Sequence, residues 1–378
     1  MGAEAELRGR KVVLALESLE SGGAERQALL LARGLRETYD AVPEIWGLFE
    51  GGALELPMHA AGIGTVCGLL PRGSGWLWTA RAVARLRPLL LAAQPRAVIG
   101  YTMWPAALCA LAAGDRLPVY WSQRDAGLVR AGRTRERLAA RRTRAFIANG
   151  RAGAEFLATQ LGVPSGRISL VPNGVAAAAG GSSRGAWRGA QGFTGDEFLI
   201  GMLANLHGNK DHETLLRAFA GARGRWPDAA RPPRLLLAGR EGDAAARLRI
   251  LAAELGVVAE VRFIGPLEDR AGFLSALDLA AFSSRSEGSP NGVLEAMAAG
   301  LAVAATDLSA IRDLVGDVGA PLLAPPGDAP ALAERILRAA GQSGERERIG
   351  AAMRQRALSE FSVDRMVSRT AEVLASPA

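Results

Sequence analysis

Short apolar runs and amphipathic stretches alternate along most of this chain, regularly enough to be read as elements. Residues 11–16 are a continuous apolar run behind Lys11, the pattern of a strand covered on both faces. Residues 24–35 then place Ala28, Leu31, Ala32 and Leu35 on one face at helical spacing. The succession continues with strands at 44–48, 64–67, 97–101, 119–122, 145–149 and 168–171, and with helices near 77–93 and 105–113. A stretch of Ala, Gly and Ser at 176–192 has little periodicity and reads as a linker. Beyond it the plan begins again, with strands at 198–204, 234–238, 261–264 and 279–283, helices at 213–222 and 244–255, and an amphipathic segment at 361–374.

Strands that alternate with helices build parallel sheets covered on both faces. The expectation is an α/β protein of two doubly wound, Rossmann-like domains, 1–178 and 193–360, facing each other across a cleft at the carboxyl ends of their strands. A length of 378 residues agrees, because single cores stop growing before that size. The run 97–114 is uncharged over eighteen residues, but Gly100, Thr102 and Pro105 divide it into a buried strand, a loop and a helix that starts with proline. The apolar run 12–16 is too short for a signal peptide and is followed by Glu17 and Glu20, so a cytoplasmic protein is expected.

Cys67 and Cys109 offer neither a disulfide framework nor metal spacing and are expected to be packing residues. His59, His207 and His212 form no ligand cluster with acids or thiols, and no Asp-x-Asp sequence occurs, so no metal or other cofactor is expected. The basic residues are 43 Arg and only two Lys, Lys11 and Lys210. Residues 1–180 hold 22 basic and 14 acidic groups, a net +8, against 23 and 24 in 181–378, a net −1; the sum is the chain's +7. Much of the excess lies in Arg130, Arg133, Arg135, Arg137, Arg141, Arg142 and Arg144, with Glu136 the one acid among them. Such a cluster is either a solvated helix face or a contact for the phosphates of an anionic membrane or a phospholipid-linked substrate. No aromatic interleaving or recognition motif accompanies it, which argues against nucleic acid.

The densest chemistry lies in 283–306, SSRSEGSPNGVLEAMAAGLAVAAT. It reads as a strand end, a tight loop and a helix start, with Ser289 as cap and Pro290 at the first helical position. The first N–H groups of that helix, at Asn291 and Gly292, suit an anion such as a diphosphate, and Gly292 removes a side chain that would obstruct it. Glu287 and Glu295 flank this place, as carboxylates suited to hydroxyl-rich groups such as a sugar and a ribose. The string EGSPNGVLEAMAAG resembles the donor-site signature of retaining family 4 glycosyltransferases of the GT-B fold, which build bacterial polysaccharides and glycolipids. GGAER at 22–26 and VPNGV at 171–175 are also similar to strings of that family, so the resemblance runs from Gly22 to about Phe361.

The resemblance implies a metal-independent transfer of a sugar from a nucleotide diphosphate sugar to a hydroxyl acceptor, such as a lipid-linked saccharide, with retention of configuration. It implies that 1–178 binds the acceptor, that 193–360 binds the nucleotide sugar, and that the tail at 361–378 crosses back to the first domain. Glu287 would hold the sugar hydroxyls and the positive charge developing at the anomeric carbon, with Gly288 beside it, and Glu295 would hold the ribose. Gly22 and Gly23 would face the phosphates and acceptor, and Gly239, Ile264 and Gly265 would meet the base. Lys210 would neutralise the leaving group together with a family Arg five residues earlier, but here that position is Asn205. A first-domain His common in relatives is also missing; Gln123, Arg124 and Asp125 occupy its loop, and Arg124 is assigned to that neighbourhood, with an ion pair to Asp125 as the alternative. The departures leave two other functions open, a sugar-nucleotide epimerase and a degenerate nucleotide-binding protein. The expected place is the cytoplasm, as a peripheral protein at the inner face of the cell membrane.

Overall fold

The structure is a computed structural model that describes residues 2–20, 22–125, 134–177, 180–228 and 231–376. Ser21, Arg130 and Arg133 lie outside the described residues. The chain divides into two compact units, Met1–Gly174 with Val363–Ala378, and Val175–Ser362.

The first unit is a seven-stranded parallel sheet of β1 (Lys11–Leu16), β2 (Val42–Gly47), β3 (Gly64–Cys67), β4 (Ala97–Tyr101), β5 (Val119–Gln123), β6 (Ala145–Ala148) and β7 (Ile168–Leu170). Their spatial order is β3-β2-β1-β4-β5-β6-β7, so the winding reverses between β1 and β4, which pair directly from Val12↔Ala97 to Ala15↔Gly100. Apolar residues on both faces of the strands make this stable. Val13 and Ala15 of β1 enter one hydrophobic cluster, while Val12, Leu14 and Leu16 enter another on the opposite face. The uncharged stretch 97–114 is β4 followed by a buried helix, Met103–Ala113. That helix starts two residues before Pro105, whose missing N–H falls in a first turn that has no intrahelical acceptor anyway. No helix among the described residues is long and apolar enough to cross a membrane.

The tail forms a helix, Val363–Ala375, that packs through Met366, Val367, Ala371 and Leu374 into the first unit. Gly34 on the Gly23–Tyr39 helix allows this approach, because a β-carbon there would stand 2.3 Å from Val367 Cγ2. Tyr120 Oη donates to the Leu374 carbonyl at 3.1 Å, closing a contact between residues distant in sequence.

The second unit is a six-stranded parallel sheet of β8 (Leu199–Leu203), β9 (Arg234–Ala238), β10 (Val261–Gly265), β11 (Leu279–Phe282), β12 (Val303–Thr306) and β13 (Leu323–Ala324), in the order β10-β9-β8-β11-β12-β13. Here the winding reverses between β8 and β11, which pair at Leu279↔Ile200 and Ala280↔Gly201. Helices Ser309–Gly319, Ala329–Gly341 and Ser343–Glu360 fill the part of the chain that sequence periodicity leaves unassigned.

The low-periodicity stretch 176–192 is not a plain linker. It belongs to the second unit and contains a helix, Arg184–Ala190. Trp187 packs against Phe193 and Phe273, and Arg188, 2% exposed, donates to the carbonyls of Ala276, Gly195 and Glu197 and to Asp278 Oδ2 at 2.7–3.0 Å. A buried guanidinium is stable only with its donors satisfied, and these partners, up to ninety residues away, supply that.

Candidate active site

Two loops of the second unit leave the strands at which its winding reverses, one from β8 and one from β11. The first carries Lys210 at the end of a single 3-10 turn, Gly208–Lys210, and the second carries Glu287. The two are tied together by backbone and side chains. Arg285 N donates to the Asn209 carbonyl at 2.9 Å, Ser283 Oγ donates to the Asp211 carbonyl at 2.8 Å, and Arg285 Nη2 donates to Asp211 Oδ1 at 3.0 Å. Thr306 Oγ1 holds the second loop from β12 by donating to the Ser284 carbonyl at 2.8 Å. Asp211, at φ 50°, turns the chain from the lysine loop into the His212–Arg223 helix, and Thr214 Oγ1 donates to its Oδ2 at 2.7 Å.

This lacing sets Lys210 Nζ at 2.6 and 2.8 Å from the two Glu287 oxygens, a contact to both ends of the carboxylate. Ser284 Oγ adds a third hydrogen bond to the carboxylate, donating to Glu287 Oε1 at 2.6 Å. The Glu287 side chain is 9% exposed and that of Lys210 24%, so the pair is partly withdrawn from water, and each charge depends on the other. Four residues after Glu287 begins the Asn291–Ala298 helix, with its first-turn N–H groups at the same end of the sheet. Its cap differs from the sequence expectation. Pro290, not Ser289, takes the cap position, and its side chain makes no cap bond. Gly288 is buried in the loop. Gly292 has a packing reason beyond ligand access, since a β-carbon there would stand 2.3 Å from the Leu203 carbonyl oxygen at the end of β8.

Glu295 is engaged within its own unit. Arg270, at the start of the Arg270–Ala276 helix, places Nε at 3.0 Å from Glu295 Oε2 and pairs to the same oxygen through Nη2. Asn205, at the position of the missing family arginine, accepts from the Arg240 backbone N–H at 3.0 Å. Gly239 lies against it, with φ 155° and no room for a β-carbon beside the Ala204 carbonyl, and its N–H donates to the Gly265 carbonyl at 2.9 Å. Asn205, Gly239, Ile264 and Gly265 therefore line up at the ends of β8, β9 and β10, next to the Lys210 loop.

The remaining sequence candidates lie in the first unit. Gly22 is the cap of the Gly23–Tyr39 helix and Gly23 its first residue. Arg124 follows β5 and makes no ion pair with Asp125: its Nη1 donates to Asn173 Oδ1 at 2.7 Å, and its guanidinium lies 4.5 Å over the Tyr101 ring. The Asp125 carboxylate accepts instead from Gln123 Nε2 at 2.9 Å. The arginine cluster also divides. Arg135 is buried, paired with Glu136 at 3.0 Å and stacked 4.6 Å from the Trp104 ring, while Arg144 donates to the Ser376 carbonyl. Arg137, Arg141 and Arg142 are exposed. Cys109 is buried, which pushes its thiol up to about 12 and keeps it unreactive.

Two family profiles match this chain: one described as Glycosyl transferases group 1 over residues 197–342, the other as Glycosyltransferase Family 4 over 21–178. The chain belongs to the group 1 glycosyltransferases. EpsD of Bacillus subtilis (strain 168), by its name a provisional glycosyltransferase, is 32% identical over 186 residues, 49% of this chain and 47% of EpsD; the match thus spans about half of that relative. Among solved structures, Anabaena Alr3699/HepE in complex with UDP superposes with a TM-score of 0.79 at 21% identity, covering 97% of this chain and 100% of HepE. WaaG, a glycosyltransferase involved in lipopolysaccharide biosynthesis, superposes at 0.76 with 17% identity over 97% and 100% of the two chains. The chain shares the GT-B fold class with these neighbours, two Rossmann-like domains of seven and six parallel strands.

Sequence reasoning gave no role to one residue of this site. His212, two residues beyond Lys210, is 1% exposed and has a pKa lowered to about 4, first by burial and then by the Lys210 charge. It is neutral at pH 7, so it adds no charge behind the lysine. In the unfolded chain it takes up a proton near pH 6.5, well before it does so in the folded one. Between pH 6.5 and 4 the unfolded state therefore binds more protons, and stability falls with falling pH by on the order of 3 kcal/mol across that window. Denaturant unfolding at a series of pH values should show this loss in the wild type and a flatter profile in His212→Gln.

Proposed function

We propose that this chain transfers a sugar from a nucleotide diphosphate sugar to a hydroxyl acceptor, with retention of anomeric configuration, in the synthesis of a bacterial polysaccharide or glycolipid. The observation that carries this reading is the Lys210–Glu287 pair at the winding reversal of the second unit, just ahead of a helix N-terminus. In doubly wound sheets ligands bind outside the carboxyl ends of the strands at such a reversal. An ammonium and first-turn N–H groups suit a departing diphosphate, and an adjacent carboxylate suits sugar hydroxyls and positive charge at the anomeric carbon. HepE, which has the same fold, has been solved with UDP and with UDP and glucose, which supports a nucleotide sugar as donor.

In this mechanism Lys210 leaves Glu287 when a diphosphate arrives and neutralises the leaving group, while Glu287 turns to the sugar. Glu295, oriented by Arg270, holds the ribose. Because Asn205 carries no charge, and its Oδ1 accepts from a backbone N–H, Lys210 is the principal cation of the step, with the helix N-terminus beside it, in a transfer read as metal-independent. The first unit receives the acceptor at its own winding reversal, where a cavity opens between the ends of β1, β4 and β5.

Incubation with UDP, GDP and ADP sugars, with and without saccharide and lipid-linked acceptors, tests the reading by mass spectrometry. Acceptor-dependent transfer that survives EDTA is expected; isomerisation without an acceptor would identify an epimerase, and binding alone a degenerate protein. With the best donor, Lys210→Ala should lower turnover about 10²- to 10³-fold, the usual cost of one transition-state donor. Glu287→Gln should depress turnover more than nucleotide affinity, and Glu295→Gln should do the reverse.

The exposed Arg137, Arg141 and Arg142 support a contact between the first unit and an anionic membrane surface, and with it a peripheral location on the cytoplasmic face. Liposome flotation should show binding to anionic vesicles that falls with salt, and weaker binding after Arg137, Arg141 and Arg142 are changed together to Gln. Equal flotation with neutral vesicles would make the three arginines a solvated face.

A further inference from the structure

The helix Gly75–Ala93, which joins β3 to β4, buries one face in the first unit and leaves the other in water. Thr79, Ala82, Leu86 and Leu90 are buried, the last three in the cluster that holds the Met103–Ala113 helix. The outward face carries Trp76, Leu77, Ala80, Ala84 and Leu89, all exposed, Trp76 at 62% and Leu77 at 78%. Its only charges are Arg81 and Arg85, one turn apart, and neither forms an ion pair among the described residues. A helix face turned to water is ordinarily charged and polar. This one is largely apolar and carries charge of one sign, in a stretch, 56–114, that holds five arginines and no acid. The first turn is held firmly: Trp78 packs on Phe49 at 6.0 Å and edge-to-face on Trp104 at 6.2 Å, and Thr79 Oγ1 accepts from Arg135 Nη1 at 3.3 Å. Arg135 belongs to the Thr134–Arg142 helix, so the exposed Arg137, Arg141 and Arg142 lie on the neighbouring element.

We infer that this face docks on an anionic lipid bilayer, with Trp76 and Leu77 inserted at the level of the headgroups and upper acyl chains and Arg81 and Arg85 against lipid phosphates. The inference rests on the membrane contact proposed for Arg137, Arg141 and Arg142 and adds an apolar anchor to it. A helix with one apolar face and basic residues lies in the plane of such a boundary. Tryptophan favours the membrane–water boundary, and arginine lays its stem along apolar surface while its guanidinium reaches phosphate. Salt does not screen the apolar part, so the anchor differs in kind from a purely electrostatic contact. A second copy of this chain is a poorer occupant, because a two-fold interface sets one patch against itself and here brings arginines together with no carboxylate to offset them. The helix leads from the end of β3 back to the start of the parallel strand β4, so its first turn stands at the carboxyl ends of the strands. Docking therefore holds that end of the first sheet to the bilayer.

Vesicles of phosphatidylcholine and phosphatidylglycerol, with and without brominated acyl chains, test this on the full chain. Bromine quenches an indole that reaches it, and Trp76 is the exposed one of the seven tryptophans. Brominated vesicles should quench the wild type, and the quenching should be lost in Trp76→Phe, which still binds. At high salt the wild type should keep part of its binding. Trp76→Ser with Leu77→Ser should lower the partition coefficient on the order of tenfold or more at low and high salt, with the denaturant unfolding curve of the wild type. Absence of quenching that depends on Trp76, or a double variant that partitions as the wild type does, would overturn the inference. So would a wild-type dimer that the double variant turns into a monomer while brominated lipid quenches neither, since the face would then belong to a second copy. Salt-sensitive binding without quenching would keep the contact of Arg137, Arg141 and Arg142 and remove the anchor. Quenching that persists, with undiminished binding, after those three arginines are changed to Gln would keep the anchor and remove their contact.

Discussion

The arrangement of the second unit depends on one ion pair, Lys210 with Glu287, both oxygens of the carboxylate being within 2.8 Å of the ammonium. A carboxylate only 9% exposed is costly to bury alone, so the two loops that carry the pair must stay together. The sequence provides the means. Ser283, Arg285 and Asp211 bond across the loops, and Thr306 anchors the glutamate loop from the neighbouring strand. The pair is also reversible in principle, because a diphosphate offers the lysine an equivalent anionic partner.

Both units place their polar residues by the same rule. Parallel strands buried on two faces leave side chains free to point into an opening only at their carboxyl ends, and the opening is widest where neighbouring connections run to opposite faces. In the first unit that place is between β1 and β4 and is lined with carboxylates. In the second it is between β8 and β11 and is spanned by a lysine and a glutamate.

The two sheets were legible in the sequence because runs such as 12–16 and 235–238 are apolar at every position and bounded by helical periodicity. The Glu287 loop was legible because a loop, a glycine and a helix start follow one another locally. What escaped was set by distant partners. The helix Arg184–Ala190 looks like a linker until Arg188 is seen bonded to Ala276, Asp278 and Glu197. Arg135 looks like part of a surface cluster until Trp104 and Glu136 enclose it. Ser289 looks like a cap, yet the loop's tie to Asn209 and Asp211 is accompanied by a helix that begins with Pro290 as its cap. The cavity of the first unit had little local signature, since Glu17 and Glu25 flank the one loop after β1 while Asp125 comes from the distant end of β5.

The central claim is that Lys210 exchanges Glu287 for the diphosphate of the donor. Calorimetric titration of the donor's nucleoside diphosphate into the wild type, Glu287→Gln, Lys210→Ala and the double variant addresses it directly. The exchange predicts that Glu287→Gln tightens nucleoside diphosphate binding, because the lysine no longer has to leave a carboxylate, and that this gain disappears when Lys210 is already alanine. Weakened or unchanged binding in Glu287→Gln, or the same change with and without the lysine, would contradict it.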